Sequence, residues 1–324
     1  MGIETFGTTD SGIEVKRITL VAGDLTVSVL TLGAILQSVR LNGVAHDLTL
    51  GSEKLADYVG PMRSHGSLIG PVVNRFTHAA APIGGKLHHF EKNLLGQHTL
   101  HSGACCTRAK HWNIEAVEET SVTLAVDLPD GEGGFPGNRH VTCRFTVEAP
   151  ASLRMEVTTT TDAPTLVNFA NHSYWNLDGT TTWAGHSLRV AADRRLPTTD
   201  FFAPTGEIAD VAGTPWDLRA ARRITPGNPD FDTNYCLSES RVALRDVLWL
   251  TGENGVTMTV ATTEPGIQVY DARNAARPGG PYYEGLAIEA QNWPDAPNHA
   301  GFPSIEVGPG APCVQVTEWR FAKG

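Results

Sequence analysis

The sequence predicts an all-β fold, a large antiparallel β-sandwich, on three observations. Many short segments alternate apolar and polar residues, as half-buried strands do. The 33 glycines and 20 prolines indicate frequent turns. No long segment has the 3.6-residue apolar periodicity of an amphipathic helix. Short strands separated by turns throughout the chain favour one sandwich domain that spans residues 1–324.

In the first part of the chain the sequence predicts strands and a single helical turn. The dipeptide Asn42-Gly43 is typical of a hairpin turn, and Gly84-Gly85-Lys86 predicts another. One helical turn is predicted at Glu53–Tyr58. The predicted strands and apolar segments are Arg17–Val21, Leu25–Leu32, Leu36–Leu41, Asp47–Leu50, Gly66–Val73, Ala79–Pro82 and Leu87–Phe90.

The rest of the chain continues the pattern. Residues Asp130–Gly137 are rich in glycine and predict a loop; their spacing and their Phe-Pro pair do not fit a dinucleotide-binding turn. The predicted strands are Trp112–Val117, Ser121–Asp127, Val141–Glu148, Leu153–Thr161, His186–Val190, Glu207–Val211, Phe231–Leu237, Val242–Leu250, Val256–Thr262, Gly266–Tyr270, Leu286–Ala290 and Cys313–Phe321.

Charge and composition narrow the class of partner. The formal net charge is -10 and the sequence has no basic run, which disfavours nucleic acid and anionic membranes. No apolar stretch approaches the roughly 18 residues of a membrane span. The N-terminal residues do not resemble a signal peptide, and five cysteines, an odd number sparsely spread, argue against a disulfide framework and for a reducing compartment. We therefore expect a cytoplasmic protein that binds a neutral small molecule.

The segment Leu166–Leu177 is the first candidate for a functional site. An apolar, β-prone run leads into Asn171, His172, Ser173 and two aromatic residues. Histidine exchanges a proton near neutral pH, and amides with aromatic rings suit a small polar ligand. Alternatively, His172 is a half-buried residue satisfied by neighbouring polar groups.

The segment Leu286–Pro294 is the second candidate. Alternation places Glu289 on the face opposite Ile288, and Gln291, Asn292 and Trp293 follow it. Glu289 is then either on the solvent side of an edge strand or a partly buried acid with a raised pKa.

Two further groups have a functional and a structural interpretation. Asn74-Arg75 follows an apolar segment, where the arginine is either a surface charge or a donor to ligand hydroxyls. The pair His98 and His101, near His88-His89, has a spacing that zinc sites use, but no carboxylate or cysteine lies in register with it. We expect neither a metal nor a cofactor.

Several motifs together resemble the aldose 1-epimerase (galactose mutarotase) family. The segment from Asn171 to Leu177 is similar to that family's Asn-His-x-Tyr-x-Asn-Leu signature, and the resemblance runs through nearly the whole chain. The other matching motifs are Gly33-Ala34, Leu50-Gly51, Gly70 before Asn74-Arg75, Leu100-His101, Asp130–Gly137, Phe231–Asn234, Gln268–Tyr270 and Glu289–Asp295.

The resemblance implies a β-supersandwich with an open cleft and a set of site residues. It implies His172 as the general acid and Glu289 as the general base. The positions that it implies for contact with the sugar are Arg75, His101, Asp232 and Gln268, with Asn74 as the motif asparagine.

The implied reaction interconverts the α and β anomers of a free aldose such as galactose, glucose or arabinose. One proton leaves the C1 hydroxyl and another reaches the ring oxygen, which suits a carboxylate and a protonated histidine. A bell-shaped dependence of rate on pH follows, because Glu289 must be ionised while His172 is protonated. The partner is then a monosaccharide, and the protein is a monomer or a homodimer.

Departures from the family pattern leave the substrate open. After His101, the usual Gly-Gly and Gly-Phe pairs are replaced within Ser102–Arg108. Near the C-terminus, Pro309–Cys313 replaces a frequent Pro-Gly-Glu-x-Tyr. One alternative is a carbohydrate-binding protein without turnover. Another is an epimerase of a phosphorylated hexose, for which Arg108 and Lys110 are the candidate cations.

Overall fold

Short β-strands make up nearly all of the regular structure in the computed structural model, which describes residues 1–324. In the N-terminal half the strands are β1 Gly2–Thr8, β2 Glu14–Ala22, β3 Leu25–Leu30, β4 Ile35–Leu41, β5 Leu68–Ile69, β6 Arg75–Phe76, β7 Ala80–Ile83, β8 Lys86–His89, β9 Thr99–Leu100, β10 Asn113–Val117, β11 Ser121–Leu128, β12 Arg139–Glu148 and β13 Ser152–Thr161. In the C-terminal half they are β14 Thr165–Leu166, β15 Ala170–Asn171, β16 Tyr174–Trp175, β17 Ser187–Val190, β18 Arg194–Arg195, β19 Ala209–Asp210, β20 Arg222–Arg223, β21 Asp232–Cys236, β22 Arg245–Thr251, β23 Val256–Thr262, β24 Gly266–Tyr270, β25 Leu286–Gln291, β26 Glu306–Val307 and β27 Cys313–Lys323.

Helical structure is confined to single turns. The α-helix α1 covers Leu55–Val59, so no helix reaches the length and apolar character that crossing a membrane requires. The 3-10 turns are Thr77–Ala79, Gly103–Cys105, Thr107–Ala109, Glu132–Gly134 and Ala296–Asn298.

Three antiparallel sheets organise the chain. The first contains β1-β2-β3-β4, and the second contains nine strands in the order β10-β11-β12-β13-β27-β23-β22-β17-β20. The third contains six strands in the order β16-β25-β24-β21-β18-β19. The remaining strands form the two-stranded pairs β14-β26, β15-β5, β6-β9 and β7-β8. The predicted all-β fold built on large antiparallel sheets is confirmed.

The main hydrophobic core is shared by these three sheets. A cluster of 50 buried residues includes Val27 on β3, Phe145 on β12 and Ile288 on β25. On β24 and β25 the apolar residues Ile267, Val269 and Ile288 belong to this core. Because side chains alternate along a strand, the polar residues between them face away from the core. That second face carries the site described below.

Element predictions are most accurate where alternation is strong. Strands β23 and β24 have the predicted bounds. The predicted turn at Asn42-Gly43 is present, but no second strand follows it at Asp47–Leu50, so it does not close a hairpin. There the Asp47 carboxylate accepts the Val39 N–H at 3.1 Å, a bond that a partner strand's carbonyl would otherwise accept. Strand β1 has no counterpart in the prediction because it is mostly exposed and lacks an apolar face.

Candidate active site

A polar cleft of about 520 Å³ brings together all seven residues named from the sequence. They lie between positions 74 and 289, so tertiary structure rather than local sequence assembles them. The seven lining residues are Asn74, Arg75, His101, His172, Asp232, Gln268 and Glu289.

Strand pairing places His172 against Glu289. Strand β16 is antiparallel to β25, with Tyr174 opposite Ala287. Continuing that register two residues toward the N-terminus of β16 puts His172 opposite Glu289. The His172 Nε2 atom lies 3.6 Å from Glu289 Oε1, and both side chains are buried. The interpretation of Glu289 as a solvent-facing residue is wrong, because every residue of β25 is buried.

The backbone around His172 is held on both sides. The His172 N–H donates to Ser67 O at 2.9 Å, and the Gly66 N–H donates to His172 O at 3.0 Å. The Asn171 amide group donates to Gly66 O at 2.8 Å, and its Oδ1 accepts the Ser173 N–H at 3.1 Å. These bonds leave the short Asn-His-Ser segment little freedom, which fixes the backbone position from which the His172 side chain enters the cleft.

The polar face of the six-stranded sheet supplies the next residues. Gln268 on β24 lies directly opposite Glu289 on β25. Its Nε2 donates to Asp232 Oδ1 at 2.6 Å. The Arg75 guanidinium also binds Asp232, at 2.9 Å and 3.5 Å to its two oxygens. Asp232 is therefore oriented by two fixed donors, as expected of a residue that positions a ligand hydroxyl.

His101 is held by the pairing of β6 with β9. Arg75 lies opposite Leu100, which brings His101 next to Asn74. The His101 N–H donates to Asn74 O at 2.8 Å, and His101 Nδ1 accepts the Asn74 N–H at 3.1 Å. Burial lowers the pKa of His101 well below its usual value. The ring is therefore neutral at pH 7 with its proton on Nε2, so it offers one donor to the cleft.

Burial moves the proton affinities of the central pair in opposite directions. It lowers the pKa of His172 to about 4, because the protonated ring loses solvation. It raises the pKa of Glu289 to about 8; the Asp232 charge adds to this shift and the Arg75 charge opposes it. Between about pH 4 and pH 8 the pair therefore holds one proton. Without a bound substrate this proton resides on Glu289.

Several buried polar atoms at this face have no partner within the protein. They include Glu289 Oε2, His172 Nδ1 and Gln268 Oε1. Buried polar groups are nearly always hydrogen-bonded, so an unpartnered set around one cleft indicates a polar ligand. Donors and acceptors both occur, which matches a ligand rich in hydroxyl groups.

The cleft also contains two aromatic residues that are not among the seven predicted site residues. Tyr270 lines it, and its hydroxyl accepts the Asn274 N–H at 3.1 Å. The Phe202 ring lies 5.6 Å from the Arg75 guanidinium and 5.7 Å from that of Arg273. Tyr270 has a sequence signal, because it ends the Gln-Val-Tyr motif. Phe202 comes from an irregular loop, where no periodicity marks it.

The two histidines whose spacing resembles a zinc site, His98 and His101, lie in different surroundings. His98 Nδ1 accepts the His78 N–H at 3.0 Å, and its ring stacks on Phe201 at 4.1 Å, whereas His101 joins the cleft beside Asn74. No group of three or more His, Cys, Asp or Glu side chains is arranged to hold a metal ion. All five cysteines are free.

The two candidate cations of the altered loop also differ. Arg108 lines the cleft, and its Nη1 donates to Ser64 Oγ at 3.3 Å. Lys110 instead forms an ion pair with Glu132 at 2.6 Å and is not part of the cleft.

Comparisons with known proteins cover nearly the whole chain. The model of the family described as aldose 1-epimerase matches residues 16–319. The chain is 31% identical to a galactose mutarotase from Mus musculus over 96% of this chain and 95% of that protein. It is 28% identical to an aldose 1-epimerase from Escherichia coli, with 92% of each chain covered.

A solved structure agrees with the sequence relatives. The crystal structure of a GalM/aldose epimerase homologue from C. elegans matches with a TM-score of 0.88 and 28% identity. The match covers 95% of this chain and 98% of that one.

Proposed function

The chain belongs to the aldose 1-epimerase family, and from this premise we propose how its cleft carries out the reaction. The protein is an isomerase that interconverts the α and β anomers of an aldose. We propose that His172 and Glu289 are its catalytic pair. The observation that carries this assignment is their placement opposite each other, 3.6 Å apart, in a buried polar cleft.

Ring opening requires two proton transfers. Glu289 removes the proton of the C1 hydroxyl while protonated His172 donates its proton to the ring oxygen. The C1–O5 bond breaks and the C1 aldehyde forms, with the proton count unchanged. Rotation about C1–C2 exposes the other carbonyl face. The same two groups then act in reverse: His172 removes the proton of the C5 hydroxyl and Glu289 returns one to the C1 oxygen.

Substrate binding changes which of the two residues holds the shared proton. The reactive form has ionised Glu289 and protonated His172, whereas burial alone favours the proton on Glu289. Sugar hydroxyls that donate to the unpartnered Glu289 Oε2 stabilise its ionised form. Binding therefore moves the shared proton to His172. In the open-chain state the proton is on Glu289, which burial already favours.

The surrounding polar groups orient the ring. We propose that Asp232 accepts from a sugar hydroxyl, because Arg75 and Gln268 already fix its carboxylate. His101 donates through Nε2, since its Nδ1 is used by Asn74. In this scheme Asn74 positions His101 and Arg75 and need not touch the sugar.

A carbohydrate-binding protein without turnover is less well supported, because binding alone does not require a matched acid and base. The preferred aldose, with galactose, glucose and arabinose as candidates, remains part of the proposal. So do one domain over residues 1–324, a monomer or homodimer, and a cytoplasmic location. The core shared by three sheets supports one domain, and the five free cysteines support a reducing compartment.

Substitution of either catalytic residue tests the assignment. Wild-type protein is expected to accelerate the decay of optical rotation of freshly dissolved α-D-glucose, α-D-galactose or L-arabinose. Glu289→Gln and His172→Asn should each lower kcat by about 10²- to 10⁴-fold, the usual contribution of one proton-transfer group.

Two exposed residues provide matched controls. Glu119→Gln and His140→Asn make the same chemical changes outside the cleft and should keep wild-type rates. If the catalytic variants also kept those rates, His172 and Glu289 would not be the catalytic pair. If wild-type protein accelerated none of the sugars, the activity itself would be refuted.

A further inference from the structure

Two arginines on one wall of the cleft have no acidic partner. Four arginines line the cleft in all, and two of them are neutralised: Arg75 by Asp232 at 2.9 Å and Arg273 by Asp271 at 2.7 Å. Arg63 and Arg108 have no carboxylate oxygen within the 4.0 Å of an ion pair. In a chain of net charge -10, this wall is locally positive.

The two guanidiniums lie on the same side of the cleft. Arg108 Nη1 donates to Ser64 Oγ at 3.3 Å, and Ser64 follows Arg63 directly and lines the same wall. Arg63 and Arg108 also line a second cavity of about 310 Å³, so they stand where the two cavities meet. The wall therefore combines two free cations and a hydroxyl with room beyond them for a substituent.

The side on which they lie identifies the part of the sugar that they face. Ser67 follows Arg63 and Ser64 in the same turn: its carbonyl oxygen accepts the His172 N–H at 2.9 Å, and its Oγ donates to Arg63 O at 3.0 Å. In keeping with this placement, the positive charge of Arg108 adds to burial in lowering the pKa of His172. The arginines thus lie toward His172. In the proposed mechanism His172 faces the ring oxygen, which is bonded to C5, and C5 carries C6.

We propose that the cleft prefers an aldopyranose with an anionic group, a phosphate or a carboxylate, at C6, and that Arg63 and Arg108 bind this group. The inference rests on the proposed assignment of His172 to the ring oxygen. Guanidinium groups form charge-assisted, frequently bidentate hydrogen bonds with both anions. Arg108 ends the loop Ser102–Arg108, in which the sequence departs from the family pattern. That loop thereby determines specificity and leaves the acid–base pair unchanged.

Anomer exchange at equilibrium, followed by NMR, tests the preference. The three probes are D-glucose, D-glucose 6-phosphate and D-glucuronate. For wild-type protein, kcat/KM for at least one anionic sugar should exceed that for glucose by about tenfold or more, the effect of one or two charge-assisted hydrogen bonds. A higher kcat/KM for D-glucose 6-phosphate would indicate that the site takes a phosphate, and a higher value for D-glucuronate would indicate a carboxylate.

Variants connect the preference to the two arginines. Arg63→Gln and Arg108→Gln should each reduce the ratio of the anionic-sugar to the glucose kcat/KM, and the double variant should bring it near one. Arg154→Gln, which removes a charge outside the cleft, should leave the ratio unchanged. Added salt should lower the wild-type ratio, since these cations are partly exposed.

The outcomes separate this inference from the proposed function. Turnover of glucose without any preference for an anionic sugar would overturn the role of the arginine wall and leave the epimerase activity standing. A preference that both glutamine variants retain, while they still turn over glucose, would also overturn it. Lack of turnover with all three sugars would overturn the mechanism on which the inference rests.

Discussion

At the scale of single residues, the catalytic pair depends on one shared proton. Burial separates the pKa values of Glu289 and His172 to about 8 and about 4. In water a glutamate has a lower pKa than a histidine. The buried pair has the opposite order, but the number of protons that the reaction needs is the same.

The pH dependence of kcat/KM should therefore be bell-shaped with limbs near pH 4 and pH 8. Below the lower limb both groups are protonated, so no base remains. Above the upper limb both are deprotonated, so no acid remains. The measurement is the enzyme-dependent mutarotation rate after subtraction of the buffer-catalysed rate at each pH. A rate that stays constant through both limbs would contradict a shared proton.

At the scale of elements, the site is one face of the six-stranded sheet. Alternation along β24 places Ile267 and Val269 in the core and Gln268 in the cleft. The same rule along β25 separates Ile288 from Glu289. The segment between β15 and β16 adds His172, which is held by the Asn171 side chain rather than by a long strand. This segment is therefore the element most sensitive to substitution.

Asn171→Ala should lower kcat at least about tenfold and reduce the free energy of unfolding by about 1–3 kcal/mol. It leaves the buried Ser173 N–H without an acceptor and removes one of the two donors to Gly66 O, which keeps its bond from the Leu36 N–H at 2.8 Å. Polarimetry and thermal unfolding measure the two effects. The matched control is Asn113→Ala, at an exposed position on β10. A wild-type kcat in Asn171→Ala would show that the bonds do not position His172.

At the scale of the whole molecule, the buried site lowers the free energy of unfolding, because the fold has to hold Glu289 away from water. Glu289 has an ordinary pKa of 4.5 and a folded pKa of about 8. Between these values the folded protein holds a proton that the unfolded chain has lost. The contribution of this group to stability is thus greatest below pH 4.5 and declines as the pH rises to about 8.

Glu289→Gln should consequently be more stable than wild type at neutral and mildly alkaline pH. The amide has nearly the same shape and never ionises, so the difference should grow from about pH 4.5 to about pH 8. Because one pKa unit corresponds to about 1.4 kcal/mol, we expect at least about 1 kcal/mol at pH 7. Thermal unfolding at acidic and alkaline pH measures the difference. Equal melting temperatures of the variant and the wild type at alkaline pH would argue against a buried Glu289 carboxyl with a raised pKa.

The sequence by itself predicts the fold class and, through its resemblance to the family, the seven candidate residues. Alternation with a period of two is a local property, so strands such as Val256–Thr262 are predicted with their observed bounds. The motif segments around His172 and Glu289 are also local in sequence. Strands of 2 residues such as β16 are too short to leave a periodic pattern of their own, although β19 lies inside the longer predicted strand Glu207–Val211.

Only the tertiary structure decided how these residues act together. The register of β16 against β25 sets His172 opposite Glu289, and register depends on long-range pairing that no local pattern encodes. The same holds for burial, which sets both pKa values, and for the ion pairs that neutralise Arg75 and Lys110 but leave Arg108 free. Proton affinity and charge balance arise from neighbours brought together by folding, and for that reason only the folded chain defines them.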